Sequence, residues 1–388
     1  MKAVPGSRIS GLAKLFATTL FVATPLIAAD KDWPMFRGNA AQTGVVAETL
    51  ADSYTLAWTW KAGSACGSPV AAAGVAVVGA HDGKVHAIEV ATGKLRWTVD
   101  LGDQIDAAPL ILDSDVLIGT TGGTLVRLAL TDGAKRWEYK TGDKIVGAAT
   151  WFEHAGAKRV LVGSYDNLVH CLDAATGAKV WVYATDSFVN GTPGVGLLDG
   201  KLVAVAGGCD AKLHVIDLAN GAKLRDVPMS AYVAASVAVD GGKAFVGHYG
   251  NEVICADLAT GAVTWTYKDR SFPYFSSPAV TAEVVVLGGR DRRVHCIDRL
   301  TGKARWVFPT RGNVDGSPLI GAVAGGDGRV LIGSDDGRLY LIDLATGKER
   351  WSFEIGGQLG GAPALVGGMI LVGCDDGGLY AFKPATKE

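Results

Sequence analysis

The feature that most constrains this chain is a unit of 40 to 45 residues, written seven times and begun an eighth. The stretch "HDGKVHAIEVATGKLRW" (residues 81–97) returns as "YDNLVHCLDAATGAKVW" (165–181), "RDRRVHCIDRLTGKARW" (290–306) and "DDGRLYLIDLATGKERW" (335–351). Looser copies are "TGGTLVRLALTDGAKRW" (121–137), "CDAKLHVIDLANGAKLR" (209–225) and "YGNEVICADLATGAVTW" (249–265). Their turn glycines fall at 93, 133, 177, 221, 261, 302 and 347. Each unit also opens alike, as in "GSPVAAAGVAVVGAHDG" and "SSPAVTAEVVVLGGRDR". Such units read as four short strands joined by Gly/Asp turns. A small sheet cannot bury its own apolar faces, so the copies must stack on one another. The eighth copy, "DDGGLYAFKPA" (375–385), lacks a last strand, which "YTLAWTW" (54–60) can supply with Trp58 in the tryptophan slot. The expected fold is all-β, an eight-bladed β-propeller of four-stranded antiparallel blades closed by an N-terminal strand. Ring closure leaves only short, protected sheet edges.

The recurring residues have structural work in this frame. In the Asp-x-x-Thr-Gly turn, Asp bonds nearby backbone N–H groups and Gly accepts a positive φ. The tryptophan four residues on (Trp97, Trp137, Trp181, Trp265, Trp306 and Trp351, with Trp58 from the N-terminal strand) is expected to lie between neighbouring blades. The fourth unit carries Arg225 in that slot, which marks its junction as the weakest or the most specialised.

Residues 1–29 read differently. Lys2, Arg8 and Lys14 precede an apolar run from Leu15 to Ala29, and no acid appears before Asp30. This is the pattern of a secretory signal peptide cut near Ala29, and the run is short for a membrane anchor. No cysteine follows the cleavage region to take a lipid anchor. The expected organisation is a signal peptide at 1–29, a lead-in segment at 30–53 and the propeller at 54–388. The expected location is periplasmic or extracellular, with no membrane span in the mature form. Losing the leader moves the formal charge from −2 to −5, which gives no electrostatic case for binding nucleic acid.

The Asp-x-x-Thr-Gly-x-x-x-Trp unit, present seven times counting degenerate copies, resembles the tryptophan-docking repeat of the pyrroloquinoline-quinone (PQQ) repeat propellers. The stretch "DWPMFRGNAAQTG" (32–44) resembles the opening segment of exported bacterial members of that family. The resemblance implies an eight-bladed ring and two kinds of function. One branch consists of quinoprotein alcohol dehydrogenases; the other includes the propeller lipoprotein of the outer-membrane β-barrel assembly machine, a protein-binding scaffold. Dehydrogenase sites in the family pair adjacent cysteines over the quinone, hold calcium with Glu/Asn/Asp and use an Asp base. This chain has no adjacent cysteine pair, and its compact units leave little room for the usual insertions.

The other candidate groups are weighed by register. Cys171, Cys255 and Cys296 occupy one repeat position and read as small buried hydrophobes. Cys66 and Cys374 flank the closure point, where a disulfide is geometrically open, and Cys209 shares their face. His86, His170, His214 and His295 also share one position, with Tyr340 and Tyr380 in the remaining copies. Residues dispersed around a ring do not converge on a metal, so they read as packing between blades. The turn aspartates Asp82, Asp166, Asp210, Asp291, Asp336 and Asp376 repeat in register and read as structural, without EF-hand spacing. His81 and His248 stand apart, in variable loops between the second and third strands. No catalytic triad, phosphate loop or zinc signature is present, so neither catalytic nor metal residues are assigned.

Function is then expected where the copies differ. The start of the first strand and the loop after the second should share a face, because those strands run antiparallel. That face gathers Asp106, Asn190, Phe275 and Asp315 from the first position and His81, Tyr165, Tyr249, Arg290 and Asp335 from the second. Tyr274 joins them from the aromatic stretch "DRSFPYFSSP" (269–278). Together they predict a ligand- or partner-binding ring at a channel mouth. The expected function is a non-catalytic scaffold, acting as a monomer without cofactor on an envelope protein or peptide. The alternative is a small quinoprotein oxidoreductase that binds PQQ with Ca²⁺ near Asp106, Asn190 and Asp315.

Overall fold

The computed structural model describes Met1, residues 32–323 and residues 326–386. The expected leader, Met1 apart, lies outside the described residues. Eight antiparallel sheets follow one another around an axis. Blade 1 shows the plan: Val70–Ala72 innermost, then Val75–Gly79, Lys84–Glu89 and, outermost, Leu95–Asp100. The middle strands are sandwiched between neighbouring blades. They therefore read as unbroken apolar runs such as "VAVVG", whereas the outer strand alternates between buried and exposed residues.

Ring closure follows the sequence expectation. The last blade comprises Ala364–Val366, Met369–Gly373 and Gly378–Pro384, and its outer strand is the N-terminal Tyr54–Lys61. One element was not foreseen. Val45–Thr49 runs parallel to Leu319–Val323, the innermost strand of blade 7, and makes that sheet five-stranded.

Each blade docks on the next through the tryptophan of its outer strand. Trp58, Trp97, Trp137, Trp265 and Trp306 donate their indole N–H to the carbonyls of Val90, Leu130, Ala174, Arg299 and Leu344, at 2.8–3.1 Å. The ring faces lie on the turn glycine of the following blade. At Gly302, where φ is +70°, an added methyl would sit 2.8 Å from the Trp265 ring, so the position requires glycine twice over. In blade 4 Arg225 takes the slot by other means: Nη1 donates to the Thr260 carbonyl at 2.8 Å and the side-chain stem covers Gly261. Trp351 has no such turn to meet in the unfinished blade 8, and packs instead edge-on against Tyr54 and Phe382.

A second set of contacts crosses the same junctions. His170, His214 and His295 each place Nε2 within 2.8–3.1 Å of the turn aspartate four residues earlier: Asp166, Asp210 and Asp291. Each Nδ1 lies 3.0–3.1 Å from a tyrosine hydroxyl of the preceding blade: Tyr139, Tyr183 and Tyr267. A carboxylate can only accept, so Nε2 donates to it, and in His170 and His295 Nδ1 accepts from the tyrosine; His214 Nδ1 lies 3.1 Å from Asp226 Oδ1 as well as from the Tyr183 hydroxyl. These histidines and aspartates are inter-blade ties, as their shared register implied.

The lead-in segment runs around the inside of the ring at the end away from the mouth. It bonds in turn to Ala71, Ile111, Val195, Val239, Val280 and Ile320, equivalent residues of six inner strands. Arg37 in this segment is fully buried, donates Nη1 to the Pro318 carbonyl, and is brought down to about 9 by that burial.

Two outcomes test this architecture. Trp97→Ala should cost about 3–5 kcal/mol in urea unfolding, and Arg225→Ala should cost less, since only one bond and an aliphatic stem are lost there. The second concerns closure, where Lys61 Nζ lies 2.5 Å from Asp376 and 2.9 Å from Tyr380 Oη. Burial acts to raise the Asp376 carboxyl, but donors from Lys61, Tyr380 and the Gly378 N–H outweigh it and hold the group at about 2. An unfolded aspartate titrates near about 4, so this latch stabilises fully above that pH and is lost as pH falls toward 2. Lys61→Met should flatten the fall of the urea midpoint across that window.

Candidate functional site

The expectation that two sets of loops share one face is met by eight equivalent hydrogen bonds. The backbone N–H groups of His81, Thr121, Tyr165, Cys209, Tyr249, Arg290, Asp335 and Asp375 donate to residues just before the eight inner strands, from Ala65 O to Gln358 O, at 2.8–3.2 Å. This ring is the channel mouth. Below it is a cavity of about 210 Å³, lined at its rim by Asp106, Asn190, Phe275 and Asp315 and at its floor by Phe36 of the lead-in segment.

The rim divides into three groups. Between blades 1 and 2, Asp106 accepts from Gln104 Nε2 at 2.7 Å, and His81 Nε2 lies 3.6 Å away. Between blades 3 and 4, Tyr165 stacks on Phe188 at 4.7 Å, and Asn190 Nδ2 donates to Cys209 Sγ at 3.0 Å. Across blades 5 to 7 runs a chain in which Tyr249 meets Phe275 at 4.5 Å, the Arg290 guanidinium lies 4.3 Å over Phe275, and Arg290 Nη2 grips Asp315 at 2.7 Å. Asp335 borders this last group. Its carboxyl is raised above the usual range by burial and then by Asp315, with Arg290 pulling the other way.

All the sequence-chosen residues except Tyr274 reach this face. Tyr274 is 1% exposed and meets His295 edge-on at 5.3 Å, so it belongs to the core. Successive residues of an extended segment point to opposite sides, and its neighbour Phe275 takes the cavity side. His248 also departs from expectation: it ends the strand Lys243–His248, is fully buried, and accepts from the Gly250 N–H at 2.9 Å. Cys66 and Cys374 meet through a backbone bond of 3.0 Å at the closure point and are free thiols, buried and raised to about 12.

Sequence reading missed Phe188 and Tyr232, which flank the mouth two residues before the equivalent positions Asn190 and Ala234. Comparing the copies two slots further upstream would have found them. It also missed a belt of hydroxyls inside the cavity. Elsewhere, Asp269, Asp291 and His295 place ligand atoms close enough for a metal. Arg293 pairs with Asp269 at 2.8 Å and approaches Asp291 at 3.9 Å, so a cation there would compete with a resident guanidinium.

With the geometry in place, comparison with known proteins becomes informative. The family described as outer membrane protein assembly factor BamB, a PQQ-repeat family, matches residues 42–151, 147–224, 209–315 and 290–388. The chain belongs to that family. Among solved structures, BamB from Moraxella catarrhalis is 20% identical with a TM-score of 0.67, over 87% of this chain and 99% of that one. A europium-containing methanol dehydrogenase is 14% identical with a TM-score of 0.74, over 92% and 99%. The quinohemoprotein alcohol dehydrogenase from Comamonas testosteroni is 16% identical with a TM-score of 0.75, over 93% and 83%. No curated protein sequence matches the chain. At these identities the solved structures share the BamB-family fold, and the fold does not choose between assembly factor and dehydrogenase. Among the described residues no helix is long and apolar enough to cross a membrane.

The rim electrostatics can be checked directly. Arg290→Ala should raise the Asp335 carboxyl further, because it removes the cation that opposes burial and Asp315; carboxyl-carbon NMR titration reads the change.

Proposed function

We propose that the chain is an exported, non-catalytic binding propeller of the bacterial cell envelope, holding a protein partner against its channel-mouth face. The observation that carries this reading is the placement of exposed aromatic rings. Tyr232, Tyr249, Phe272 and Phe188 are 57%, 49%, 48% and 42% exposed, and all four sit on the mouth loops of neighbouring blades. No other aromatic among the described residues is exposed to this extent. Aromatic residues clustered on one face are costly to leave in water and are typical anchors of protein interfaces. The leader-like residues 1–29 support export, and family membership supports a scaffold role.

The cavity's residues do not fit the quinone of the alternative reading. PQQ is a polycarboxylate, yet the charged residues lining the cavity are Asp106 and Asp315, and no lysine or arginine lines it. Arg290, the nearest cation named at the rim, is already engaged by Asp315. The six cysteines are free, with no adjacent pair to cover a cofactor.

Two experiments test the reading. Cross-linked capture from an envelope extract should recover a partner with the native chain and lose it by more than about tenfold when Tyr232 and Tyr249 are both changed to Ser. Capture that ignores the double substitution counts against the mouth face. After incubation with PQQ and calcium, gel-filtered protein should retain no quinone absorbance and should not support dye-linked alcohol oxidation. Stoichiometric retention with turnover would replace the scaffold reading with the quinoprotein one.

A further inference from the structure

The cavity behind the mouth has hydrogen-bonding capacity that the protein itself leaves unused. Four hydroxyls form a belt inside it: Ser236, Ser277, Ser317 and Ser68 accept the backbone N–H groups of Thr192, Ser236, Ser277 and Ala362 at 2.8–3.0 Å. Each of these bonds uses an acceptor lone pair of the hydroxyl and not its proton. Two further atoms have no protein partner at all, Thr192 Oγ1 and Asn190 Oδ1, and both residues line the cavity. Thr192 is 2% exposed, so its hydroxyl is cut off from bulk water. An unpaired buried polar atom of this kind is expensive, and it calls for an ordered water or a ligand group.

The chemistry of the lining narrows the occupant. An anion would face two carboxylates and no lining cation. A cation is not required, since Asp315 already holds Arg290 and Asp106 already accepts from Gln104. An apolar group would strand the hydroxyl belt. What fits is a neutral molecule whose groups both donate and accept at many points, which is the property of hydroxyls. One wall differs: Phe275 lines the cavity with its ring held between Tyr249 and Arg290, and offers a ring edge. A pyranose ring has C–H groups to set against such an edge and hydroxyls for the predominantly polar remainder. About 210 Å³ is room for one such ring, so a free sugar or the end of a glycan is what fits.

We propose that this cup binds one neutral hexose ring, with Asn190, Thr192 and the serine belt taking its hydroxyls and the edge of Phe275 meeting its C–H groups. The inference rests on the reading of the mouth as the binding face, and names a ligand class for its interior. Saturation-transfer NMR and calorimetry on the full mature chain, with glucose, galactose, mannose and N-acetylglucosamine, test it. At least one sugar should saturate at millimolar concentration or below. Thr192→Val and Asn190→Leu should each weaken that binding about tenfold. Thr192→Val should not lower the melting temperature, because its hydroxyl bonds to nothing in the protein. A tetrasaccharide ending in the preferred sugar, binding as well as the free ring, assigns a glycan terminus; binding of the free ring alone assigns a soluble sugar. No saturation by any of these sugars, or saturation indifferent to both substitutions, overturns the inference. Partner capture that persists while sugars fail removes only the hexose site, whereas loss of capture with sugar binding intact removes the protein-scaffold reading instead.

Discussion

The contact between an indole face and the glycine of the next blade's turn underlies the rest of the structure. It fixes the spacing between sheets, and spacing sets the diameter of the ring and hence of the axial cavity. The contact is demanding on both sides. The tryptophan needs a flat bed and an acceptor for its N–H, and the turn needs a residue with positive φ and no side chain in the way. Repeating one solution at six junctions lets every other position of the blade vary. Arg225 shows the tolerance of the scheme, since a guanidinium and its stem can stand in where the indole is missing.

Because that contact is written as a residue pattern, the architecture was legible before any coordinates. Blade number, strand order, the closing role of Tyr54–Lys61 and the inter-blade duty of the histidines all follow from register. What could not be read was pairing without a repeat to announce it. Val45–Thr49 pairs with a strand close to the other end of the chain, and nothing local in "VVAET" distinguishes an inner parallel strand from a linker. The misplacement of Tyr274 has a different origin. In an extended segment a shift of one residue exchanges core for surface, and a run of three aromatics hides which one faces inward.

The candidate site was legible for the same reason in reverse. A repeat exposes function as the positions that decline to repeat, and the rim residues were found that way. The hydroxyl belt was not, because serine, alanine and threonine interchange there without any contrast in size that a reader of sequence would notice. Its meaning depends on which hydroxyls already carry a backbone bond and which, like Thr192, carry none. That is a property of the assembled ring and belongs to no single blade.

The path of the N-terminal segment has a consequence for how the molecule comes into being. Residues 33–61 precede every blade in the chain, yet their partners include Ile320, Pro318 and the strand Gly378–Pro384. Arg37 in particular has no complete burial site until blade 7 exists. The earliest part of the chain must therefore wait, extended and unpaired, for the last part to arrive. Contacts so distant in sequence are slow to form, and an unpaired apolar strand is an aggregation hazard in the interval. The same segment that lines the floor of the cup and completes the eighth blade thus makes the folded ring an all-or-none product of the whole propeller.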